Sequence, residues 1–140
     1  MNIIKDNPKD SVIIGYSVPN PSEFGVADFD MEGNLKRVVE KPSERISDIA
    51  IVGLYKFDGQ SVDFAKSLKK SPRGEYEISD IINLYIAQKK CKLVECDAGT
   101  DYWLDTGSVS SITSASLFVR ELNLSGLKTV GDPLSVKKSD

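Results

Sequence analysis

The sequence predicts an α/β or α+β domain whose mixed sheet has a local antiparallel part. Three observations indicate this class. Two β-rich segments flank a short turn, a nearly unbroken apolar run follows them, and three further segments repeat apolar residues at helical spacing. Because strands and helices mix without strict alternation, the pattern does not require an all-parallel sheet.

The first half of the chain is predicted to be mostly strand. Residues 12–18 are rich in β-branched side chains and end at a Pro-Asn-Pro turn signal. Residues 24–30 and 35–41 form a hairpin whose turn contains Gly33, which supplies a positive φ. Residues 49–57 are nearly all apolar, so we expect an inner strand that is buried on both faces at the centre of the sheet.

The second half is predicted to be mostly helical. Residues 60–70 and 77–89 each place apolar side chains on one stripe, and the second segment carries acids in its first turn. Residues 92–97 and 102–105 are strand candidates, and residues 108–122 form a third helix. Beyond that helix the periodicity fades.

The composition limits the number of domains and the class of partner. A chain of 140 residues, 40% hydrophobic and 28% charged, can bury one modest core and is interpreted as one globular domain. The net charge is -3, and the basic residues are scattered among acids. The sequence therefore offers no basic surface for a nucleic-acid backbone, and we expect no nucleic-acid partner.

The N-terminus and the cysteines indicate a cytoplasmic protein. Residues 1–6 lack the apolar run of a signal peptide, and nowhere do about eighteen apolar residues occur in succession, so no membrane partner is expected. Cys91 and Cys96 lie five positions apart on a predicted strand, where their side chains would point to opposite faces. We therefore expect reduced thiols.

The residue types present restrict the chemistry. The chain contains no histidine, which excludes a Ser-His-Asp triad, a Cys-His pair and most zinc sites. Any reaction must therefore use carboxylates, lysine, arginine, backbone groups and a metal ion.

The segment at residues 101–107, Asp-Tyr-Trp-Leu-Asp-Thr-Gly, is the most distinctive short motif. In an extended segment, Trp103 and Asp105 would lie on one face, which suits a pocket where a ring packs against a ligand and a carboxylate holds a hard cation. The same residues also allow a strand end with Trp103 in the core and Asp105 capping the next helix. Taken alone, the motif favours this second interpretation.

Five short motifs occur in the order Phe-Gly-Val at residues 24–26, Val-Glu-Lys-Pro at 39–42, Val-Gly-Leu-Tyr at 52–55, Ser-Pro-Arg-Gly-Glu-Tyr-Glu-Ile-Ser-Asp at 71–80, and Trp-Leu-Asp-Thr-Gly at 103–107. Together they resemble the sugar-1-phosphate nucleotidylyltransferases, most closely the glucose-1-phosphate thymidylyltransferases. Each motif alone is weak, whereas five in order are specific.

The resemblance implies an α/β fold of incomplete Rossmann-like nucleotidyltransferase type, with a mixed sheet, an antiparallel hairpin and flanking helices. Residues 1–128 would form the sugar-phosphate-binding domain without the N-terminal nucleotide-binding half, and residues 129–140 a loose tail. In the family, that half holds the triphosphate with a glycine-rich loop, and no such loop occurs in these 140 residues. We therefore expect the chain alone to be inactive.

The resemblance also implies a role for each motif. Gly25 would bring its backbone N–H close to the sugar, and Glu40 would accept hydrogen bonds from sugar hydroxyls. Lys41 and Arg73 would neutralise the sugar phosphate. Asp105, catalytic together with Lys41, would be one of two carboxylate ligands of Mg²⁺. The remaining implied substrate-binding residues are Val52, Gly53, Tyr55, Glu75 and Trp103.

Several of these assignments have alternatives in the residues themselves. Glu40 and Lys41 are consecutive on a strand, so regular geometry points them to opposite faces unless Pro42 marks a strand end. Arg73 is compatible with a solvated loop arginine, although its place between Pro and Gly ahead of a helix suits an anion site. Gly25 is compatible with a strand glycine at a bulge.

Two functions from different classes follow. The first is a glucose-1-phosphate thymidylyltransferase-like fragment that contributes the sugar-1-phosphate half of the site and one Mg²⁺ ligand. The second is a non-enzymatic sugar-phosphate-binding or assembly module. The expected partners are a sugar-1-phosphate, a complementary N-terminal half and, because the inner strand and amphipathic helices expect neighbours, further copies of the chain in a homo-oligomer.

Overall fold

The computed structural model describes residues 11–97 and 100–124. They belong to two compact units, one extending to Asp101 and the other beginning at Tyr102. The strands are β1 (Ser11–Ser17), β2 (Gly25–Phe29), β3 (Leu35–Glu40), β4 (Ile49–Lys56) and β5 (Cys91–Glu95). The helices are α1 (Gln60–Ser67), α2 (Ile78–Ala87) and α3 (Val109–Leu124), with a short 3-10 helix at Pro21–Glu23.

The strands of the first unit form one mixed sheet in the order β3-β2-β4-β1-β5. Strand β4 is antiparallel to both of its neighbours, β2 and β3 form an antiparallel hairpin, and β1 and β5 are parallel. The predicted mixed sheet, its antiparallel hairpin and the central position of β4 are confirmed. Among the described strands β3 and β5 are the edges, and the predicted homo-oligomer that would cover an edge remains a prediction.

The turn of the hairpin is fixed by local hydrogen bonds. The Oδ1 atom of Asp30 accepts the backbone N–H groups of Glu32 at 2.9 Å and Asn34 at 2.8 Å. Gly33 has a φ of 83°, as expected for a glycine in a tight turn. This turn sets the register in which Gly25 lies directly opposite Glu40.

One face of the sheet packs against α2. Ile13, Ala27, Val38 and Ile51 from four strands form a buried cluster with Ile82 of the helix. The side chain of Asn83 also fixes α2 to β3, because its Oδ1 accepts the Val38 N–H at 2.7 Å and its Nδ2 donates to the Val38 carbonyl at 2.8 Å. These bonds occupy backbone groups on an edge strand.

The central strand is buried on both faces only in its first half. Ala50, Ile51 and Val52 are buried, whereas Leu54 is 51% exposed. The reason is the register, because β2 pairs with β4 at Ala50, while the second half of β4 pairs with β1 alone. The prediction of burial along the whole strand is therefore wrong for the second half.

Other boundaries differ from the sequence predictions. Helix α1 stops at Ser67 because Leu68 has an extended backbone, with a ψ of 147°. Residues 102–105 form neither a helix nor a strand, so the predicted strand there is wrong. A strand needs a neighbour to accept its backbone hydrogen bonds, and this segment belongs to no sheet of the described residues. The predicted third helix is confirmed as α3, and the predicted tail at residues 129–140 lies outside the described residues.

Both cysteines are free thiols, as predicted. Cys91 begins β5, and burial raises the pKa of its thiol to about 11, which keeps it protonated near neutral pH. In the part of the chain that the structure describes, no helix has the length and apolar character needed to cross a membrane.

Tyr85 is expected to link stability to pH. Its buried ring stacks on Phe57 at 5.2 Å, and its hydroxyl donates a hydrogen bond to Asp58 Oδ1 at 2.5 Å. This bond holds the pKa of Asp58 below its ordinary value, so its stabilising effect is present above about pH 4 and is lost as the pH falls through the lowered pKa. We expect Tyr85→Phe to be less stable than the wild type at neutral pH and this difference to shrink in acid. Denaturant titrations between pH 2 and 7 measure it, and a difference that stays constant over this range contradicts the assignment.

Candidate functional site

A small cavity of about 190 Å³ lies between the sheet and α2. Its polar lining includes the side chains of Glu40, Tyr55 and Ser79, and the backbone of Gly25 borders it. Its apolar lining includes Val38, Ile51 and Ile82. The structure thus brings together three residues that the sequence analysis selected, namely Gly25, Glu40 and Tyr55.

Glycine at position 25 makes room for the carboxylate of Glu40. A Cβ atom at this position would lie 3.2 Å from Glu40 Oε2 and 3.3 Å from Val38 Cγ1. Gly25 and Glu40 are paired across β2 and β3. The irregularity in the register of these two strands lies further along β2, between Asp28 and Phe29. Gly25 is therefore a site of close approach and not the position of the bulge.

Two side chains hold the Glu40 carboxylate. Ser79 Oγ donates a hydrogen bond to Oε2 at 3.2 Å, and Arg73 Nη1 lies 3.5 Å from Oε1. The side chain of Glu40 is 22% exposed, so it still reaches solvent at the cavity. A carboxylate held in this way can accept further hydrogen bonds from a ligand.

Arg73 is held by a tight turn ahead of α2. The backbone N–H of Gly74 donates to the Ser71 carbonyl at 2.8 Å, and the Ser71 N–H donates to the Glu75 carbonyl at 2.8 Å. Gly74 has a φ of 80°, a conformation that favours glycine. The guanidinium lies between the carboxylates of Glu75 and Glu77, at 2.9 Å and 3.4 Å. Arg73 is therefore held beside Glu40 and is not a freely solvated loop residue, although it is not among the residues that line the cavity.

Lys41 marks the end of β3. Its φ is 41°, and its backbone N–H donates to the Phe24 carbonyl at 2.9 Å. The regular alternation of side chains therefore stops at Glu40, which meets the condition under which Glu40 and Lys41 can serve one pocket. The side chain of Lys41 is exposed and is not among the residues that line the cavity.

The motif on β4 divides between the two faces of the sheet. Tyr55 lines the cavity, and burial, with a smaller contribution from the charge of Glu40, raises the pKa of its hydroxyl. Gly53 lies two residues before Tyr55 and therefore on the same face of the strand, and a Cβ added there would meet no atom within 4 Å. Val52 is buried and does not line the cavity, because a strand sends neighbouring side chains to opposite faces.

Trp103 and Asp105 belong to the second unit. Trp103 is half-buried, and the exposed Asp105 carboxylate approaches Gly107, where an added Cβ would lie 3.2 Å from Oδ2. The capping role that the sequence allowed for Asp105 is performed by Ser108, whose Oγ accepts the N–H of Ser111 at 3.1 Å.

Three further residues near Glu40 and Arg73 were not predicted from the sequence as site residues, namely Ser71, Glu77 and Ser79. All three lie inside the motif at residues 71–80, from which only Arg73 and Glu75 were chosen. Ser79 contacts Glu40, whereas Glu77 contacts Arg73 and accepts a hydrogen bond from Ser71 Oγ at 2.8 Å. Their place at the start of a helix was visible in the sequence, but their contacts were not.

The sequence model of the family described as nucleotidyl transferase matches residues 2–121. The chain belongs to this family. The chain is 44% identical over 122 residues to the glucose-1-phosphate thymidylyltransferase of Mycolicibacterium smegmatis, a match covering 86% of this chain and 42% of the relative. It is 38% identical over 114 residues to the enzyme of that name from Xanthomonas campestris, covering 81% of this chain and 38% of that one. The resemblance in the motifs is thereby confirmed.

A solved structure shares the fold. It is a crystal structure from Bacillus anthracis, described as a glucose-1-phosphate thymidylyltransferase in complex with sucrose. The TM-score is 0.72 at 30% sequence identity, and the match covers 86% of this chain and 47% of that one. The chain spans about two fifths of the length of the curated relatives that it matches.

Proposed function

We propose that this chain provides the sugar-1-phosphate-binding part of a glucose-1-phosphate thymidylyltransferase-like active site. The observation that carries the proposal is the carboxylate of Glu40, which Ser79 and Arg73 hold beside the backbone of Gly25 at a small cavity. Membership of the nucleotidyl transferase family supports it.

The cavity suits one sugar ring. Its volume of about 190 Å³ lies below the range of about 300–1,000 Å³ that is typical for drug-sized ligands. Glu40 would accept hydrogen bonds from a pair of sugar hydroxyls. The hydroxyl of Tyr55, which its raised pKa keeps protonated, would donate another. The apolar wall at Ile51 and Ile82 would pack against the ring carbons.

The phosphate would be bound by Arg73 and Lys41. A guanidinium matches phosphate oxygens in fork geometry, and an exposed lysine at a strand end adds a mobile positive charge. In the reaction, an oxygen of the sugar phosphate attacks the α-phosphorus of the nucleoside triphosphate, the bond to the β-phosphate breaks and pyrophosphate leaves. These two residues would position the attacking phosphate and screen its charge.

Asp105 is proposed as a ligand of Mg²⁺. Magnesium is bound in proteins through one or two carboxylates together with substrate phosphates, so a single exposed carboxylate fits such a role. Across residues 11–97 and 100–124, no group of three or more acidic or cysteine side chains gathers to hold a metal ion. When bound, Mg²⁺ would neutralise the charge of the triphosphate.

Calorimetry with the 140-residue chain tests the proposal. We expect weak binding of glucose 1-phosphate and no tighter binding of dTTP, because the described cavity is too small for a nucleotide. Tighter binding of dTTP than of glucose 1-phosphate would overturn the proposal. If glucose and glucose 1-phosphate bind with equal affinity, the proposed phosphate-binding role of Arg73 and Lys41 is overturned.

Gly25→Ala is expected to weaken glucose 1-phosphate binding severalfold without unfolding the protein. The added Cβ would displace the Glu40 carboxylate by a few tenths of an ångström, while alanine is otherwise acceptable in a strand. Gly59→Ala is the matched control, because its added Cβ meets no atom within 4 Å. Unchanged affinity in Gly25→Ala, measured by the same titration, contradicts the close approach as a binding determinant.

A further inference from the structure

The guanidinium of Arg73 is shared by three carboxylates that differ in exposure. The exposed fraction of the side chain is 10% for Glu77, 22% for Glu40 and 60% for Glu75. Nη2 contacts Glu75, whereas Nη1 lies near Glu77 and Glu40. One positive charge therefore faces three negative charges, and a phosphate would be repelled unless a carboxylate withdrew.

Glu77 is fixed. It precedes the first residue of α2 and makes no capping hydrogen bond to its own helix, which leaves its carboxylate available to Arg73. Its Oε1 also accepts the hydroxyl of Ser71 at 2.8 Å, and the same hydroxyl accepts the backbone N–H of Arg73 at 3.2 Å. Separating Glu77 from Arg73 would leave a buried charge without its counter-charge, which is strongly unfavourable.

Glu75 is free to leave. Its backbone is held by the hydrogen bond from Ser71, but its side chain is mostly in solvent. An exposed ion pair contributes little, because water and salt screen it. The Glu75 carboxylate can therefore withdraw from Arg73 while the turn keeps its conformation.

We propose that Arg73 exchanges the carboxylate of Glu75 for the phosphate of the substrate, while Glu77 keeps the guanidinium in place. Glu75 then competes with the phosphate for Nη2, and Glu77 is a positioning residue. This inference rests on the proposed function, in which Arg73 binds the sugar phosphate. It adds that two carboxylates on one guanidinium act in opposite directions.

Two variants with the same chemical change separate these roles. Glu75→Gln is expected to bind glucose 1-phosphate about two- to fivefold more tightly than the wild type, because the competing charge is gone. Glu77→Gln is expected to bind it at least about tenfold more weakly, because the guanidinium loses its buried counter-charge. Glu44→Gln removes an equal charge from an exposed loop position and is the matched control, expected to change affinity little.

Calorimetry measures the affinity of each variant for glucose 1-phosphate, and an amide NMR spectrum shows whether each variant is folded. A purely structural role for both glutamates would weaken binding in both variants, so opposite signs are the outcome that supports the proposal. Unchanged or weaker binding in Glu75→Gln overturns the exchange, and unchanged binding in Glu77→Gln overturns the positioning role. If Glu77→Gln does not fold, Ser71→Ala replaces it, with an expected loss of about threefold; unchanged binding there overturns the positioning role equally.

The proposed function and this inference fail in different ways. A wild-type chain that does not bind glucose 1-phosphate overturns the proposed function and the exchange together. A wild-type chain that binds it, with no gain in Glu75→Gln, overturns the exchange alone.

Discussion

Arg73→Ala is expected to weaken glucose 1-phosphate binding by about 10- to 150-fold, which corresponds to the 1.5–3 kcal/mol typical of a hydrogen bond to a charged group. The substitution removes the proposed phosphate ligand. It also removes the positive charge between three carboxylates, so repulsion of the phosphate increases. We further expect the free energy of unfolding to fall by about 1–3 kcal/mol, because the buried carboxylate of Glu77 loses its counter-charge.

Calorimetry and denaturant unfolding of the same samples check both parts. Arg45→Ala is the matched control, since Arg45 forms an exposed ion pair with Asp48 at 2.6 Å and its loss changes the net charge equally. Arg73→Lys keeps the charge without the fork geometry and should recover only part of the affinity. Affinity that is unchanged in Arg73→Ala, or lowered equally in Arg45→Ala, would show that Arg73 does not bind the phosphate.

Pyrophosphate release is expected to be undetectable with the 140-residue chain alone. The chain matches only about two fifths of the length of its curated relatives, so we expect it to lack groups that position the nucleoside triphosphate. A misplacement of the reacting groups by about 1 Å already costs on the order of a hundredfold in rate. We expect release to appear when the chain is mixed with the part of the Mycolicibacterium smegmatis relative that lies outside the match. The assay contains glucose 1-phosphate, dTTP and Mg²⁺.

In that reconstituted mixture, Asp105→Asn is expected to abolish most of the release, about a hundredfold or more, because the proposed Mg²⁺ ligand loses its charge. Asp63→Asn is the control, because Asp63 is an exposed carboxylate in the first turn of α1. Pyrophosphate release by the 140-residue chain alone would show that catalysis does not need the supplied part of the relative. Full activity of Asp105→Asn in the mixture would remove Asp105 from the metal site.

The local sequence predicted those elements whose signals lie within a few neighbouring residues. The hairpin was predictable because Gly33 adopts the positive φ that its turn needs, and the flanking segments supply β-forming residues. The amphipathic stripe of α2 buries Ile81, Ile82 and Tyr85, as its helical spacing predicts. The order of the five motifs was sufficient to indicate the family, which the match over residues 2–121 shows.

The features that the sequence missed depend on what lies beside a segment. The apolar run of β4 predicted burial, yet Leu54 is exposed because β2 ends its pairing with β4 at Ala50. Residues 102–105 have the composition of a strand, but no described strand pairs with them. An apolar pattern indicates which side chains favour burial, but a side chain is buried only where another segment of the structure packs against it.

By itself, the sequence determined the mixed sheet, the three helices and the motifs that identify the family. Only the tertiary structure decided which motif residues meet. Gly25 faces Glu40 through the register of β2 and β3, while Arg73 and Ser79 reach the same carboxylate from 33 and 39 positions away in the chain. Val52 is excluded from the cavity by its face on β4, although its motif neighbour Tyr55 lines it. The physical reason is that register and helix placement result from packing over the whole sheet, which no single motif encodes.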